Sequence, residues 1–380
     1  LGDVYKRQVM QQEAESPFTE VQPESLEVSE QEIQESGREG EKTGHWVLNA
    51  SGWWYAYEDG TWPSDGMVTI DGTDYAFNSA GYMVTGWYLS AEGWYYMTGS
   101  GAKAVGWQNI GGVWYYLDGE NTEHPGLMVG TGWHLIQGQW YYMTESGAMA
   151  ADWLLSSEGW YYLGGDGVMK TGWQLVGGAW YYLDGENLEY PGLMTGTGWH
   201  LIQGQKYYMT GSGAMATGWQ NIDGAWYYLN GSGAMVTGWM KDGAAWYYLE
   251  PNGMMVTGKK TIGGQIYSFK DNGMMVTGWA EEEDGWHYYD TSGAMKKGWI
   301  QVGSVKYYCD PETGRMYESQ WIEDKYYVRA DGAMQVGWFI AGEHWYYSDS
   351  KGVKQTSKWV GEYYVQADGT MAVNKWIVLP

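Results

Sequence analysis

The sequence GWQLVGGAWYYL occupies residues 172–183 and places four aromatic side chains within twelve residues. The pair Gly177-Gly178 lies at its centre, and such pairs adopt the positive φ values that a two-residue hairpin turn needs. The flanking segments are rich in aromatic residues, which favour strands. The stretch therefore predicts one β-hairpin.

A turn at the two glycines fixes which side chains share a face. Trp173 then lies opposite Tyr182, and Leu175 lies opposite Trp180. Because side chains alternate along a strand, Trp173, Trp180 and Tyr182 are predicted to lie on one face and Tyr181 on the other.

The same pattern returns along the chain, most often every 20 residues. Two steps of 26 residues contain the inserts 120–126 and 186–192, and three successive units recur 66 residues later as a duplicated block. Together with degenerate copies near residues 53 and 75, this gives about sixteen units. The Trp that opens a unit is found at Trp87, Trp107, Trp133, Trp153, Trp173, Trp199, Trp219, Trp239, Trp279, Trp299, Trp321, Trp338, Trp359 and Trp376, with Lys259 in the same series.

This periodicity decides the fold class. A two-stranded hairpin is marginal in water by itself, so each aromatic unit must bury its rings against its neighbours. The prediction is an all-β open solenoid of stacked hairpins. A propeller is disfavoured because each of its blades needs four strands and about forty residues.

The charge balance restricts the possible partners. The chain has 46 acidic and 21 basic residues, for a net charge of −25. This balance disfavours nucleic acid as a partner, because phosphate neutralisation requires Lys and Arg, and we expect none. Cys309 is the single cysteine, which excludes an intrachain disulfide and cysteine-rich zinc sites. No apolar run reaches the length of a membrane span.

The first 45 residues differ from the rest in composition. Residues 9–45 hold ten Glu but a single aromatic residue, Phe18. Such a segment cannot bury enough apolar surface to offset its ordering entropy. We predict a disordered acidic linker over residues 1–45 and a repeat domain over residues 46–380. The chain starts at Leu1 rather than Met, and we expect the true N-terminus, any signal peptide and any catalytic or adhesive domain to lie upstream.

The consensus GWxxxxGxWYYLxxxGxMxTGW is clearest at residues 218–239, which read GWQNIDGAWYYLNGSGAMVTGW. It resembles the choline-binding or cell-wall-binding repeat of Gram-positive surface proteins and of phage and bacterial lysins, over residues 46–378. Related repeats occur in glucan-binding domains of streptococcal glucosyltransferases and in clostridial toxins. The resemblance implies a left-handed superhelix with ligands held between successive hairpins.

The resemblance also implies a cage of two Trp and one Tyr, often lined by Met, around a quaternary ammonium group. A trimethylammonium cation donates no strong hydrogen bond, so ring faces recognise it, at about 0.5–2 kcal/mol per contact. Methionine adds an adaptable wall. The candidate ligand-binding residues are the opening Trp, the Trp and second Tyr of WYY, and the Met of GxM: Trp107, Trp114, Tyr116, Trp133, Trp140, Tyr142, Trp153, Trp160, Tyr162, Trp173, Trp180, Tyr182, Trp219, Trp226, Tyr228, Trp239, Trp246, Tyr248, Met149, Met169, Met215 and Met235.

Some units depart from this pattern. Lys206 replaces the Trp of WYY, Lys259 replaces the opening Trp, and Lys103 and Lys354 replace the Met. We expect weak or no binding near residue 206 and near residues 259–269.

No catalytic motif is present. The chain has no Gly-rich phosphate loop, nucleophile elbow or HExxH motif, so we expect a non-catalytic module without cofactor or metal. The acidic run Glu281–Asp284 is interpreted as a solvated turn, and the six histidines as surface strand residues.

The predicted partner is choline-bearing teichoic or lipoteichoic acid, or another cell-wall polymer. The expected location is the surface of a Gram-positive bacterium, or a phage lysin that acts there. Two alternatives stay open: binding of glucans or host glycans by the same rings, and a purely structural stalk. For any single ring or Met, packing in the solenoid core is a competing interpretation.

Overall fold

The structure is a computed structural model that describes residues 42–373, and every regular element in that range is a β-strand. The strands are β1 (Gly44–Asn49), β2 (Gly52–Tyr57), β3 (Gly66–Ile70), β4 (Thr73–Phe77), β5 (Gly86–Leu89), β6 (Trp94–Met97), β7 (Gly106–Ile110), β8 (Val113–Asp118), β9 (Leu127–Met128), β10 (Gly132–Ile136), β11 (Gln139–Met143), β12 (Asp152–Leu155), β13 (Trp160–Leu163), β14 (Gly172–Val176), β15 (Ala179–Asp184), β16 (Leu193–Met194), β17 (Gly198–Ile202), β18 (Gln205–Met209), β19 (Gly218–Ile222), β20 (Ala225–Leu229), β21 (Gly238–Asp242), β22 (Ala245–Leu249), β23 (Gly258–Ile262), β24 (Gln265–Phe269), β25 (Gly278–Glu282), β26 (Gly285–Tyr289), β27 (Gly298–Val302), β28 (Val305–Cys309), β29 (Gln320–Ile322), β30 (Tyr326–Val328), β31 (Gly337–Ala341), β32 (His344–Ser348), β33 (Lys358–Val360) and β34 (Tyr363–Val365).

The described strands form sixteen separate antiparallel hairpins, numbered here 1 to 16 in chain order. The predicted all-β repeat of about sixteen stacked hairpins is confirmed. In hairpins 4 and 7 the inserts add a third strand, β9 beside β8 and β16 beside β15. The duplicated sequence block therefore repeats the same sheet topology. The predicted left-handed path of the whole chain stays a prediction.

The register of hairpin 7 is the one predicted from its turn. Trp173 pairs with Tyr182, and Leu175 pairs with Trp180. Gly177 and Gly178 have φ values of 58° and 80°, a left-handed conformation that L side chains adopt with strain. The turn therefore sets which rings lie on each face.

The connector that follows one hairpin forms a backbone hydrogen bond with the preceding hairpin, as the connector after hairpin 10 does with hairpin 9. The backbone N–H of Met255 donates to the carbonyl oxygen of Trp226 over 2.8 Å, and Met275 bonds to Trp246 in the same way. The thioether of Met255 lies against Gly273 of the next connector, where a Cβ atom would overlap its sulfur. The repeated Gly and Met of the consensus are thus explained by stacking of connectors.

The hydrophobic core lies between neighbouring hairpins. One cluster joins buried Tyr116 of hairpin 4 to Ile136 and Tyr141 of hairpin 5, with Trp107 and Met149 packed against it. The Leu that ends WYYL is fully buried in several hairpins (Leu117, Leu163, Leu183, Leu229 and Leu249). Each repeat completes its core only with a neighbour.

The contacts divide the chain into two compact units. The first ends at Gly198 and also includes Met209–Met215, and the second comprises Trp199–Tyr208 and the chain from Ala216 onward. The first described strand begins at Gly44, two residues before the predicted start of the repeat domain. The predicted linker falls mainly on residues 1–41, outside the described residues, so its disorder stays a prediction.

Candidate functional site

The recurring site is the junction between one hairpin and the next, and hairpins 9 and 10 show it clearly. Trp219 of hairpin 9 lies near two rings of its own hairpin: Trp226, at 6.5 Å between centroids and an interplanar angle of 79°, and Tyr228, at 5.2 Å. Tyr247 of hairpin 10 approaches the same Trp to 4.8 Å. The opening Trp is therefore the centre of a group of rings from two hairpins.

The contact from the next hairpin is regular. The opening Trp and the Tyr at the first-tyrosine position of the following hairpin lie between 4.7 and 5.0 Å apart at Trp87–Tyr115, Trp107–Tyr141, Trp133–Tyr161, Trp153–Tyr181, Trp199–Tyr227, Trp239–Tyr267, Trp279–Tyr307, Trp299–Tyr326 and Trp321–Tyr346.

This first tyrosine is not among the candidate residues predicted from the sequence. On its own hairpin Tyr181 faces away from Trp180 and Trp173, as predicted. In a stack that opposite face meets the preceding hairpin, where Tyr181 touches Trp153. The sequence does contain a signal for this contact. The two tyrosines of WYY are adjacent in a strand, so they lie on opposite faces of the hairpin.

The predicted opening Trp and second Tyr come together in all six candidate hairpins, and the two Trp are close in three of them. The opening Trp and the second Tyr are 5.1 to 5.3 Å apart at Trp107–Tyr116, Trp133–Tyr142, Trp153–Tyr162, Trp173–Tyr182, Trp219–Tyr228 and Trp239–Tyr248. The two Trp of a hairpin lie at 6.3 to 6.5 Å and nearly perpendicular at Trp153–Trp160, Trp219–Trp226 and Trp239–Trp246.

Exposure separates the walls of the junction from its floor. In hairpins 5 and 6 the WYY tryptophans Trp140 and Trp160 are 40% and 42% exposed, whereas Tyr141 and Tyr161 are buried. Burial raises the pKa of both tyrosines, so they are neutral near pH 7. The junction therefore has an exposed indole face beside uncharged tyrosine rings. The faces of such aromatic rings attract a cation.

The four candidate methionines lie in the connectors. The backbone N–H groups of Met149, Met169 and Met215 donate to the carbonyl oxygens of a WYY Trp one hairpin back, and that of Met235 donates to Lys206, all over 2.7 to 2.9 Å. Met149 also packs on the cluster that contains Trp107 and Tyr141. A packing role is established for Met149, and contact with a ligand stays a prediction.

Where Lys259 replaces the opening Trp, the junction of hairpins 11 and 12 is ionic. The Lys259 ammonium pairs with Glu282 and lies 3.4 Å from both the Asp284 carboxylate and His287 Nε2. Tyr289 donates from its hydroxyl to Glu282 over 2.6 Å. The side chain of Glu282 is 15% exposed and His287 is fully buried.

Two sequence interpretations are corrected here. The run Glu281–Asp284 is not simply a solvated turn, because two of its carboxylates bind Lys259 and His287. His287 occupies the place of a first tyrosine and is a core residue rather than a surface one. A lysine and its acids lie one repeat apart in the sequence, so the pairing appears only when hairpins stack.

Opposing influences act on the acids of this cluster. Burial pushes the pKa of Glu282 upward, but hydrogen bonds from Lys259 and Tyr289 and the lysine charge together hold it below its ordinary value. The hydrogen bond with His287 lowers the pKa of Asp284. Burial, and then the bond to Glu282, raises the pKa of Tyr289. Both acids are therefore charged near pH 7 and act as counter-ions.

Within residues 42–373, Glu282, Asp284 and His287 also form a group whose possible metal-ligand atoms lie within 4.8 Å of one another. The Lys259 ammonium already stands among those atoms. A second positive charge would have to displace it, so the group fits an internal ammonium better than a metal.

Lysines at two Met positions behave similarly. Lys354 lies 5.0 Å over the ring of Trp321 and pairs with Asp324 at 2.6 Å. Lys103 pairs with Asp74 and lies 5.8 Å over Tyr95. These junctions, like that of Lys259, contain a cation supplied by the chain itself.

Two further findings concern chemistry and membranes. Cys309 takes the place of the Leu of WYYL and is fully buried. Burial raises the pKa of its thiol to about 11, so it is not a reactive thiolate at neutral pH.

No helix able to cross a membrane occurs among the residues that the structure describes.

Comparison with protein families gives matches along the repeat region. A choline-binding repeat family matches residues 130–169, 196–235, 216–259 and 256–296, and a second choline-binding repeat family matches 353–378. A cell wall binding repeat family matches 105–120, 171–186 and 336–354. Together these matches span more than half of the chain. No curated protein matches it.

Several solved structures from Streptococcus pneumoniae are similar. Choline binding protein F, crystallised with a peptidoglycan analogue, is 28% identical over 77% of this chain and 98% of its own, with a TM-score of 0.46. The choline-binding domain of CbpL is 32% identical over 43% of this chain and 90% of its own, with a TM-score of 0.36. The modular autolysin LytC is 25% identical over 61% of this chain and 52% of its own, with a TM-score of 0.41.

Proposed function

The chain belongs to the family of choline-binding and cell-wall-binding repeat proteins, and we propose that it is a non-catalytic, multivalent module for choline-bearing teichoic or lipoteichoic acid. One observation carries the proposal. At junction after junction, an opening Trp touches a first Tyr of the next hairpin while a WYY Trp keeps an exposed face beside it.

The rings supply attraction without a charge of their own. A trimethylammonium group has a diffuse positive charge and no N–H donor, so its favourable contacts are ring faces. The net charge of −25 adds a field that concentrates cations near the chain. A neutral cage on an acidic protein therefore favours a small organic cation over an anion.

Repetition then strengthens a weak site. At the junctions that follow hairpins 3, 6, 9 and 10, the opening Trp lies near the WYY Trp and the second Tyr of its own hairpin and near the first Tyr of the next hairpin. On a polymer that repeats its choline groups, each bound cage raises the effective concentration for the next. The proposed location is the cell wall of a Gram-positive bacterium, with a secreted chain or a phage lysin as its carrier.

A fluorescence titration tests the proposal. Choline chloride is added to the full chain and Trp emission is followed, with NaCl at equal ionic strength and the uncharged isostere 3,3-dimethylbutan-1-ol as controls. A saturable change with choline, absent with NaCl and weaker with the isostere, is the expected result. Anion-exchange retention alone is no support, because any chain of this charge is retained.

The alternatives predict other outcomes of the same titration. A saturable response to isomalto-oligosaccharides that ignores added choline would replace the proposal with glycan binding. No response to either ligand class would leave a structural stalk. A Trp226→Leu variant, which removes an exposed wall and keeps Trp219, is expected to lose one choline site.

A further inference from the structure

Two neighbouring residues of hairpin 10 carry opposite charges to opposite faces. Asp242 ends β21 and its carboxylate accepts a hydrogen bond of 3.0 Å from the indole Nε1–H of Trp219, in the preceding hairpin. Lys241 points to the other face, as strand alternation requires. Its ammonium lies 5.9 Å over the ring of Trp246, its cross-strand partner.

Several other hairpins have uncharged residues at these two positions. Ile136 and Ile222 stand where Asp242 does, and both are buried. Leu135 and Leu175 stand where Lys241 does, opposite a WYY Trp. The stacking of hairpins does not need charges at either place.

Each charge acts on a different cage. Asp242 binds the N–H edge of Trp219, in the cage between hairpins 9 and 10. A carboxylate at that edge increases the electron density of the ring and attracts a cation on the ring face. Lys241 covers a wall of the cage between hairpins 10 and 11, where its ammonium repels a second cation and competes for the Trp246 face.

We infer that Lys241 and Asp242 rank these two adjacent cages, so that a quaternary ammonium ligand fills the Trp219 cage before the Trp239 cage. The inference rests on the proposed choline binding and adds an order to its sites. Because both charges are exposed, the expected effect of either one is modest, about two- to fivefold in affinity.

The test reads each cage separately in the full chain. The protein is labelled with 5-fluorotryptophan, and the ¹⁹F resonances of Trp219 and Trp239 are assigned from the variants W219F and W239F. Choline is then titrated into the wild type, D242N and K241Q. Both substitutions remove a charge at nearly constant size, so each serves as the control for the other.

In the wild type, the Trp219 resonance should reach its midpoint at a lower choline concentration than the Trp239 resonance. D242N should raise the Trp219 midpoint about two- to fivefold, and K241Q should lower the Trp239 midpoint by a similar factor. Titration with uncharged 3,3-dimethylbutan-1-ol should show neither shift, because it has the shape of choline without the charge.

Equal midpoints in the wild type and D242N would overturn the inference while leaving choline binding intact. Equal shifts for choline and for its uncharged isostere would also overturn it, because Asp242 would then act through structure alone. If no resonance responds to choline in the wild type, the proposed function itself fails, and the order of the sites fails with it.

Discussion

Two junctions of the second unit have the same backbone arrangement but are lined by different side chains. Between hairpins 9 and 10, Trp219 lies among Trp226, Tyr228 and Tyr247. Between hairpins 11 and 12, Lys259 takes the place of that Trp and binds carboxylates. The connector bonds are alike, since Met255 donates to Trp226 and Met295 donates to Ile266, each over 2.8 Å.

The comparison teaches that stacking and recognition are separable. Two-residue turns and connector hydrogen bonds set the backbone at both junctions. The side chain at the opening position then decides whether the space is lined by rings or by ions. Under the proposed function, a ring-lined junction accepts a cation from outside, whereas the ionic one already holds the ammonium of Lys259.

Trp219→Ala should produce the largest loss of stability. The substitution removes contacts with three rings and leaves a cavity, which costs about 3 kcal/mol in local unfolding free energy. The urea midpoint of the ¹⁹F resonance of Trp226 reports the loss. Lys259→Ala, read at Trp286 of hairpin 12, is the matched control and should cost less. An equal loss in both variants would contradict the distinction between the junctions.

Glu282→Ala should have the next largest effect. Its removal leaves the Lys259 ammonium with the Asp284 carboxylate and His287 Nε2, and leaves the hydroxyl of buried Tyr289 without its carboxylate acceptor. We expect a loss of about 1–3 kcal/mol at the Trp286 resonance. Glu282→Gln keeps an oxygen for Tyr289 and should recover part of it. A Gln variant as unstable as the Ala variant would show that the Tyr289 bond contributes nothing.

Acidification should weaken the ionic junction selectively. The pKa values of Glu282 and Asp284 lie below their ordinary values of 4.5 and 3.8. Their stabilising effect is therefore complete above about pH 5 and is lost as the pH falls through the lowered values. Between pH 6 and pH 3 the urea midpoint at Trp286 should fall more than that at Trp226. In Glu282→Gln the difference should shrink, and an unchanged difference would assign it to other groups.

Salt should have the smallest effect. The Lys259 side chain is partly exposed, so raising the NaCl concentration from 0.05 to 0.5 M should lower the local stability at Trp286 by a few tenths of a kcal/mol. The Trp226 resonance should change less in the same titration. A larger change at Trp226 would mean that charges, rather than ring contacts, hold the aromatic junction together.

Much of the fold could be predicted from the sequence. Paired turn residues and a regular period determine where each hairpin begins, and the turn length determines that Trp173 faces Tyr182. The first tyrosine was missed for a physical reason. Threading one hairpin shows which face Tyr181 occupies but not that this face meets Trp153, because that contact belongs to two repeats.

The ionic junction was only half predicted. A lysine in place of Trp correctly marked an exception at Lys259, but acids at a hairpin tip resemble any solvated turn. The compensating change was nevertheless visible, because Glu282 stands one repeat later at the place held elsewhere by a buried isoleucine such as Ile222. Comparing the opening position of one repeat with the hairpin tip of the next would have paired Lys259 with Glu282.

The backward reach of each connector has a mechanical consequence. A hairpin is tied to its predecessor by a short backbone contact, such as Met255 to Trp226, and by the rings at the junction. Tension on the chain would therefore open hairpins one at a time rather than all at once. Each released unit of 20 residues spans at most roughly 70 Å when fully extended. If the chain serves as an anchor, it would extend under a sudden force by unfolding single hairpins, while the remaining junctions stayed folded and bound.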